Sequence, residues 1–238
     1  MKTKTLIPIC ICAIFTVNLG YARWPSVDPH AENYYPQSPY AFCNNNPIKF
    51  VDRDGRDGVL VVFPDYKIST PIGKVSGLGH AGVLLIDNKT GTTKYYEYGR
   101  YDKEGRGEVH QITISNVSIG KDGKPTSESL NNVMGELSEK AGKNGRIDGA
   151  YVDSEDYKSM KTYAEDKKSE NTNPDREPYS LTGNNCGTFA ADVVKQDGQV
   201  KEKAPNIVDP RPNSIVEEYQ NKFRTITYDP NKKQTELK

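Results

Sequence analysis

The chain has few of the residues on which metal and nucleic-acid chemistry depends. Its 238 residues include only three histidines and four cysteines. The histidines and the two cysteines outside the leading apolar run are scattered without the paired spacing of a metal site. Lysine plus arginine and aspartate plus glutamate both number 32, so the net charge is zero and no basic surface is indicated. A glycine-rich loop that would cradle a phosphate is also missing. We therefore expect no metal, no cofactor and no nucleic-acid partner.

The chain also lacks an apolar run long enough for a comfortable membrane span. The run from Leu6 to Leu19 is shorter than the roughly 20 residues that a spanning helix needs. It follows Lys2 and Lys4 and precedes the small residues of Gly20–Ala22, an order typical of a secretory signal. We predict a signal peptide over residues 1–22, no stable membrane span, and a product that is secreted or periplasmic.

Removal of that signal leaves the cysteines Cys43 and Cys186. An even pair in an exported protein is compatible with a disulfide, but the context of Cys186 indicates another role. Gly183–Asn185 supply turn and N-cap chemistry, and apolar residues then repeat at helical spacing as far as Val194, so a helix should begin at about Cys186. The helix dipole favours a thiolate there, and the first backbone N–H groups can hold an oxyanion. The alternative is a small buried core residue.

A second stretch, Gly77–Asp87, places a histidine at the start of a nearly continuous apolar run. It predicts a buried strand led by His80, and a strand that is apolar on both faces belongs at the centre of a sheet. A turn and the strand-forming stretch Thr93–Tyr101 follow, with Glu97 near its middle. Glu97 would then reach the His80 imidazole and fix its tautomer. A solvated carboxylate is the alternative, and His110 is the rival for this third position.

These residues resemble the circularly permuted branch of the NlpC-type papain-like cysteine hydrolases, to which lecithin:retinol acyltransferase belongs. The resemblance covers Val59 to Val194 and rests on a strand-borne Gly-His-Ala-Gly and on Asn-Cys-x-x-Phe opening a helix. It implies an α+β fold in which a small antiparallel sheet packs against helices, with Cys186 as the nucleophile at a helix N-terminus and His80 as its base. The family's third polar residue is often a histidine, whereas this chain offers Glu97.

The segment before that domain, residues 23–55, closely resembles the closing module of RHS-repeat proteins. The similarity is carried by Trp24–Pro29 and by Ser38–Asp52. It implies that the rest of the chain is a variable effector domain, commonly a toxin, for which a cognate immunity protein would be a partner. Arg53 stands where the family's self-cleavage motif has proline, so self-cleavage is not expected. Cys43 lies inside the module, which accounts for it without a disulfide. A vestigial linker is the alternative interpretation.

The remaining pattern predicts an effector domain over residues 56–228 and a disordered tail over residues 229–238. Residues 165–176 contain no apolar side chain and indicate a loop. The other predicted elements are strands at Val59–Phe63 and Ile147–Val152 and a helix at Ser127–Lys140. A further helix, capped by Asp153 or Ser154, should bear Tyr157, Met160, Tyr163 and Ala164, and a last helix should run from a cap at Asn213-Ser214 to about Phe223.

Together these patterns favour a secreted thiol hydrolase that cleaves an amide, in a peptidoglycan peptide or a protein, through an acyl-enzyme on Cys186. A lipid-directed acyltransferase or phospholipase is one alternative. A non-enzymatic binding domain, in which Cys186 is only structural, is the competing class. Labelling with a thiol-reactive probe separates the classes, because a buried structural cysteine stays unlabelled.

Overall fold

An antiparallel sheet of seven strands is the centre of the fold. The structure, a computed structural model, describes residues 56–70 and 73–238. Across the sheet the strands lie in the order β6-β5-β4-β1-β7-β8-β9, while β2 and β3 form a separate pair. In chain order the strands are β1 (Arg56–Phe63), β2 (Ile68–Thr70), β3 (Gly73–Val75), β4 (His80–Asp87), β5 (Thr93–Gly99), β6 (Glu108–Ile112), β7 (Ile147–Ser154), β8 (Arg224–Asp229) and β9 (Gln234–Leu237).

Strands β1 and β4 are buried on both faces of the sheet. In β1, Leu60 packs into the core on one face and Val61 into the core on the other, and Val83 and Leu84 divide in the same way in β4. Alternate residues of a strand point to opposite faces, so a strand covered on both sides is apolar throughout. The prediction of a central strand led by His80 is thereby confirmed.

Helices cover both faces of this sheet. The first helix packs on the core that contains Val61, and the second, third and fifth pack on the core that contains Leu60. This arrangement confirms the predicted α+β class, with an antiparallel sheet packed against helices. Within the described residues no helix is long and apolar enough to cross a bilayer. The helices are α1 (Ser127–Lys140), α2 (Tyr157–Ser169), α3 (Cys186–Val194), α4 (Gly198–Lys203) and α5 (Pro212–Gln220), with a 3₁₀ turn at Glu170–Thr172.

The predicted loop over residues 165–176 is wrong in its first half. Helix α2 continues to Ser169 and the 3₁₀ turn follows it. Polar contacts, which an apolar pattern does not register, support this extension. Glu165 accepts a hydrogen bond of 2.6 Å from the Tyr96 hydroxyl, and Lys167 pairs with Glu170 at 3.0 Å.

The C-terminal residues 229–238, expected to be disordered, instead complete the sheet. Gln234–Leu237 form the edge strand β9, paired antiparallel with β8. Lys238 and Thr225 exchange backbone hydrogen bonds of 2.8 and 3.0 Å beyond the ladder. An edge strand is held by its backbone groups and needs few apolar side chains, so this sequence carries little strand signal. The predicted boundary at residue 228 falls inside β8.

The predicted signal peptide and the whole RHS-like segment lie outside the described residues. Both stay predictions.

Candidate active site

The N-terminus of α3 fixes the position of Cys186, which is the first residue of the helix. The Asn185 side-chain oxygen accepts hydrogen bonds from the N–H groups of Gly187 at 2.8 Å and Thr188 at 3.1 Å. The Thr188 hydroxyl in turn accepts from the Asn185 N–H at 2.9 Å, which completes a capping box. The Asn185 amide also donates to two loop carbonyls, at 3.1 and 2.9 Å. This buried asparagine therefore joins the loop to the helix at the cysteine.

The Cys186 sulfur is enclosed, with the side chain 0% exposed. It accepts a hydrogen bond of 3.4 Å from the Ala81 N–H, at the start of β4, and it interacts with the side chains of His80 and Tyr179. Burial raises the pKa of the Cys186 thiol, but the imidazolium of His80 and these hydrogen bonds outweigh burial and lower the pKa below its usual value. The surroundings therefore favour a thiolate.

His80 lies between the cysteine and a carboxylate. Its Nε2 is 3.1 Å from Oε2 of Glu97, and its ring also interacts with Cys186. The ring also packs beside Phe63 and Tyr66, at centroid distances of 6.3 and 5.1 Å. Burial lowers the pKa of His80, but its contacts with Cys186 and Glu97 raise the pKa to about 10. Both shifts favour a thiolate and imidazolium pair over the neutral pair.

Glu97 projects from the middle of β5, opposite Gly82 of β4. Its Oε1 also accepts a hydrogen bond of 2.6 Å from the Tyr101 hydroxyl, and its Oε2 accepts one of 3.3 Å from the Tyr95 hydroxyl. Burial raises the pKa of Glu97, but the hydrogen bond and charge of His80 and the two hydroxyl groups lower it below its usual value. The carboxylate therefore stays ionised although only 7% of the residue is exposed.

Two glycines beside His80 make room for side chains of the protein itself. A Cβ at Gly82 would collide with the Tyr95 phenol, and one at Gly79, where φ is +71°, would collide with the Asn213 side chain. The missing Cβ at Gly82 is therefore what allows the Tyr95 hydroxyl to reach Glu97.

His110, the predicted rival of Glu97, lies beside Glu97 in the sheet but contacts other groups. It is the register partner of Glu97 on β6, and its Nε2 is 3.3 Å from Oε2 of Glu108. Its ring stacks on that of Tyr101, with centroids 3.9 Å apart and 14° between the planes. The structure thus brings Cys186, His80 and Glu97 together. His110 contacts Glu108 and Tyr101 instead of these three groups.

Sequence reasoning missed the tyrosines of the site. Tyr95 stands two residues before Glu97, and since residues i and i+2 of a strand share a face, this spacing was a usable signal. Tyr101 lies beyond the end of β5, and Tyr179 lies in a loop before α3. Strand or helix periodicity cannot place these two side chains. Among the described residues, no group of three or more histidine, cysteine, aspartate or glutamate side chains could hold a metal ion.

Comparisons with known proteins agree on a class of secreted effector proteins. The family of type VI secretion system effectors described as TseH-like matches residues 47–202. The chain belongs to this family. The crystal structure of the type VI secretion system effector TseH is similar, with a TM-score of 0.68 and 34% sequence identity over 78% of this chain and 99% of that chain. A search of curated proteins gave no match.

A type VI effector is secreted and delivered to target cells, and membership of such a family is consistent with the immunity partner that the sequence led us to expect. The matched family is defined by TseH, and neither RHS repeats nor NlpC-type hydrolases figure in its description. The match begins at residue 47, so it includes the last residues of the RHS-like segment.

Proposed function

We propose that this effector is a cysteine hydrolase of papain-like type that cleaves amide bonds through an acyl-enzyme on Cys186. The observation that carries the proposal is the chain of contacts from the Cys186 thiol through His80 to Glu97. A nucleophile in hydrogen-bond contact with a base, which is itself oriented by a third group, is the recurring arrangement of covalent hydrolases. The lowered pKa of Cys186 supports it, because the thiolate is the attacking form.

The reaction proceeds in two acyl transfers. The Cys186 thiolate attacks the amide carbonyl carbon, and the oxygen takes the electron pair of the broken π bond. The imidazolium of His80 protonates the leaving nitrogen as the C–N bond breaks, which gives a thioester and an amine. Neutral His80 then takes a proton from water, the hydroxide attacks the thioester, and the thiolate leaves with the carboxylic acid as product.

One backbone N–H in the first turn of α3 is left to bind the oxyanion of each tetrahedral intermediate. The Asn185 side chain occupies the N–H groups of Gly187 and Thr188. The N–H of Cys186 itself is the first-turn amide that this cap does not use, and it lies on the nucleophilic residue. We assign it as the backbone donor to the oxyanion, aided by the positive end of the α3 dipole.

The substrate must be admitted by movement of the residues that cover the sulfur. Cys186 is 0% exposed, and Tyr179, from the loop before α3, contacts the thiol. The Tyr179 ring lies 5.7 Å from the Tyr98 ring and 5.7 Å from the Arg100 guanidinium, each measured to the Tyr179 centroid. Displacement of Tyr179 would expose the sulfur from the side of that loop.

For the substrate we propose the peptide stems of peptidoglycan. Amide hydrolysis in the envelope suits an effector that is delivered into a neighbouring cell, and the neutral net charge of the chain gives no attraction to nucleic acid. Protein amides and lipid esters would undergo the same acyl transfer and are distinguished by experiment.

The test is digestion of purified bacterial sacculi with the full chain, followed by mass spectrometry of the released fragments. We expect new amine and carboxyl termini within the stem peptides, and we expect Cys186→Ala and His80→Ala to abolish their formation. Parallel incubations with a denatured protein and with phospholipid vesicles provide the other two substrate classes. Fragment release that persists in Cys186→Ala would refute the mechanism, and cleavage confined to protein or lipid would refute the substrate.

A further inference from the structure

Tyr101 makes the shortest contact to the Glu97 carboxylate among those described, a hydrogen bond of 2.6 Å from its hydroxyl to Oε1. Its hydroxyl is also 3.5 Å from His80 Nε2. The residue lies beyond the end of β5 at Gly99, and its side chain is not part of the core because 40% of the residue is exposed. Packing into the core therefore does not explain why this ring lies over the site.

Two neighbours fix the Tyr101 ring instead. A Cβ added at Gly99 would lie 2.6 Å from Cζ and 2.9 Å from the hydroxyl oxygen of Tyr101, so the ring folds back over a position that has no side chain. The His110 ring stacks on it with centroids 3.9 Å apart and an interplanar angle of 14°. The Gly99 surface and the His110 ring together hold the hydroxyl at Glu97.

We infer that Tyr101 is a positioning residue of the active site, held over Gly99 by His110, and that it orients Glu97 toward His80. The inference deepens the proposed function and rests on it. With Oε1 held by Tyr101, the other oxygen, Oε2, faces His80 Nε2 at 3.1 Å. Hydrogen bonds to an ionised carboxylate are about twice as strong as neutral ones. In this arrangement His110 acts through its ring face, as a support for Tyr101.

The full chain is alkylated with iodoacetamide. Mass spectrometry then measures the modification of the peptide that contains Cys186, so that the other cysteines do not interfere. Tyr101→Phe keeps the ring and its stack but removes the hydroxyl. Gly99→Ala keeps every site side chain but pushes the ring away. For both variants we expect alkylation on the order of tenfold slower at neutral pH, equivalent to one pKa unit, with the acid limb of the pH profile moved upward. Neutral-pH rates equal to wild type in both variants would overturn the inference.

Tyr96→Phe is the matched control. It removes a hydroxyl–carboxylate hydrogen bond of the same length, 2.6 Å to Glu165, from the adjacent residue of β5, whose side chain points to the opposite face of the sheet. We expect its alkylation rate to stay within about twofold of wild type. An equal slowing in this control would overturn the inference, because any tyrosine-to-phenylalanine change in the strand would then have the same effect.

Two variants of His110 test whether its ring supports Tyr101 by stacking. His110→Phe retains an aromatic ring over Tyr101, whereas His110→Ala removes it. We expect the phenylalanine variant to alkylate like wild type and the alanine variant to slow like Tyr101→Phe. Slowing in both would overturn the stacking role. A Cys186 that resists iodoacetamide altogether, in the wild type and in a Tyr179→Ala variant that uncovers the sulfur, would instead refute the proposed function, and this inference with it.

Discussion

At the scale of single residues, the site is defined by three groups whose charges depend on one another. Burial alone would keep Cys186, His80 and Glu97 neutral. Contact between them reverses this effect, since the pKa of Cys186 and Glu97 is lowered and that of His80 is raised to about 10. Removing any one charge should therefore change the protonation of the other two.

The first prediction concerns the pH dependence of the thiol. Because the pKa of Cys186 is lowered, its thiolate should already be formed at neutral pH. A free cysteine with a pKa of about 8.5 gains several-fold in alkylation rate between about pH 7 and pH 8. We expect the Cys186 rate to change by less than about twofold over that interval, measured with iodoacetamide against glutathione as the reference thiol. A slope equal to that of glutathione would contradict the ion pair.

The second prediction is that Glu97→Gln slows both alkylation and turnover while leaving the fold intact. A neutral amide has nearly the same shape but does not stabilise the imidazolium, so the pKa of His80 should fall and that of the thiol should rise. We expect a loss on the order of tenfold, or one pKa unit, and an acid limb shifted to higher pH. Glu165→Gln, at the partner of Tyr96, is the control, and equal losses in the two variants would assign the effect to general destabilisation.

The sequence allowed Cys186, His80 and Glu97 to be picked out because each lies at a position that periodicity defines. Cys186 begins an apolar helix, His80 begins a two-sided strand, and Glu97 lies on the neighbouring strand. The contacts of Tyr101 and Tyr179 depend on where two loops return to the sheet. That return is set by long-range packing, which short sequence patterns do not encode.

At the scale of elements, α3 carries the nucleophile and owes its starting point to Asn185. The side chain is fully buried, at 0% exposure, and it bonds to both the helix and the loop before it. Helix α1 could be predicted to the residue because Thr126 caps it and an apolar stripe continues along it. Strand β9 could not be predicted in this way, because it is defined by its backbone pairing with β8.

The third prediction is that Asn185→Ala is among the costly substitutions away from the apolar core. It removes the cap and the two hydrogen bonds that the buried Asn185 amide donates to loop carbonyls, so we expect a loss of about 2–4 kcal/mol in the free energy of unfolding. Denaturant unfolding measures it. Asp156→Ala removes the cap of α2, which accepts from the Ser159 N–H at 3.0 Å, and should lose only about 1 kcal/mol. Equal losses would mean that Asn185 acts as a cap alone.

At the scale of the whole molecule, family membership gives delivery to a target cell, and the proposed chemistry gives the envelope as the place of action. TseH-like effectors are secreted by the type VI system, and peptidoglycan amides lie in the envelope of a recipient cell. A sulfur that is closed off in the resting fold is also protected from oxidation until its cover opens. Delivery and chemistry can therefore be separated by directing the same chain to different compartments.

The last prediction makes that separation. Expression of the chain without residues 1–22 in a bacterial cytoplasm should be tolerated, whereas the same chain directed to the periplasm by an added signal should lyse the host. Cys186→Ala should abolish lysis. It deletes one sulfur near a helix end, so its loss of stability should be modest, about 1 kcal/mol, beside the loss of the nucleophile. Growth curves and immunoblots of both compartments measure the outcome at matched protein levels. Toxicity confined to the cytoplasm would point to an intracellular protein target, and lysis that survives Cys186→Ala would refute the hydrolase itself.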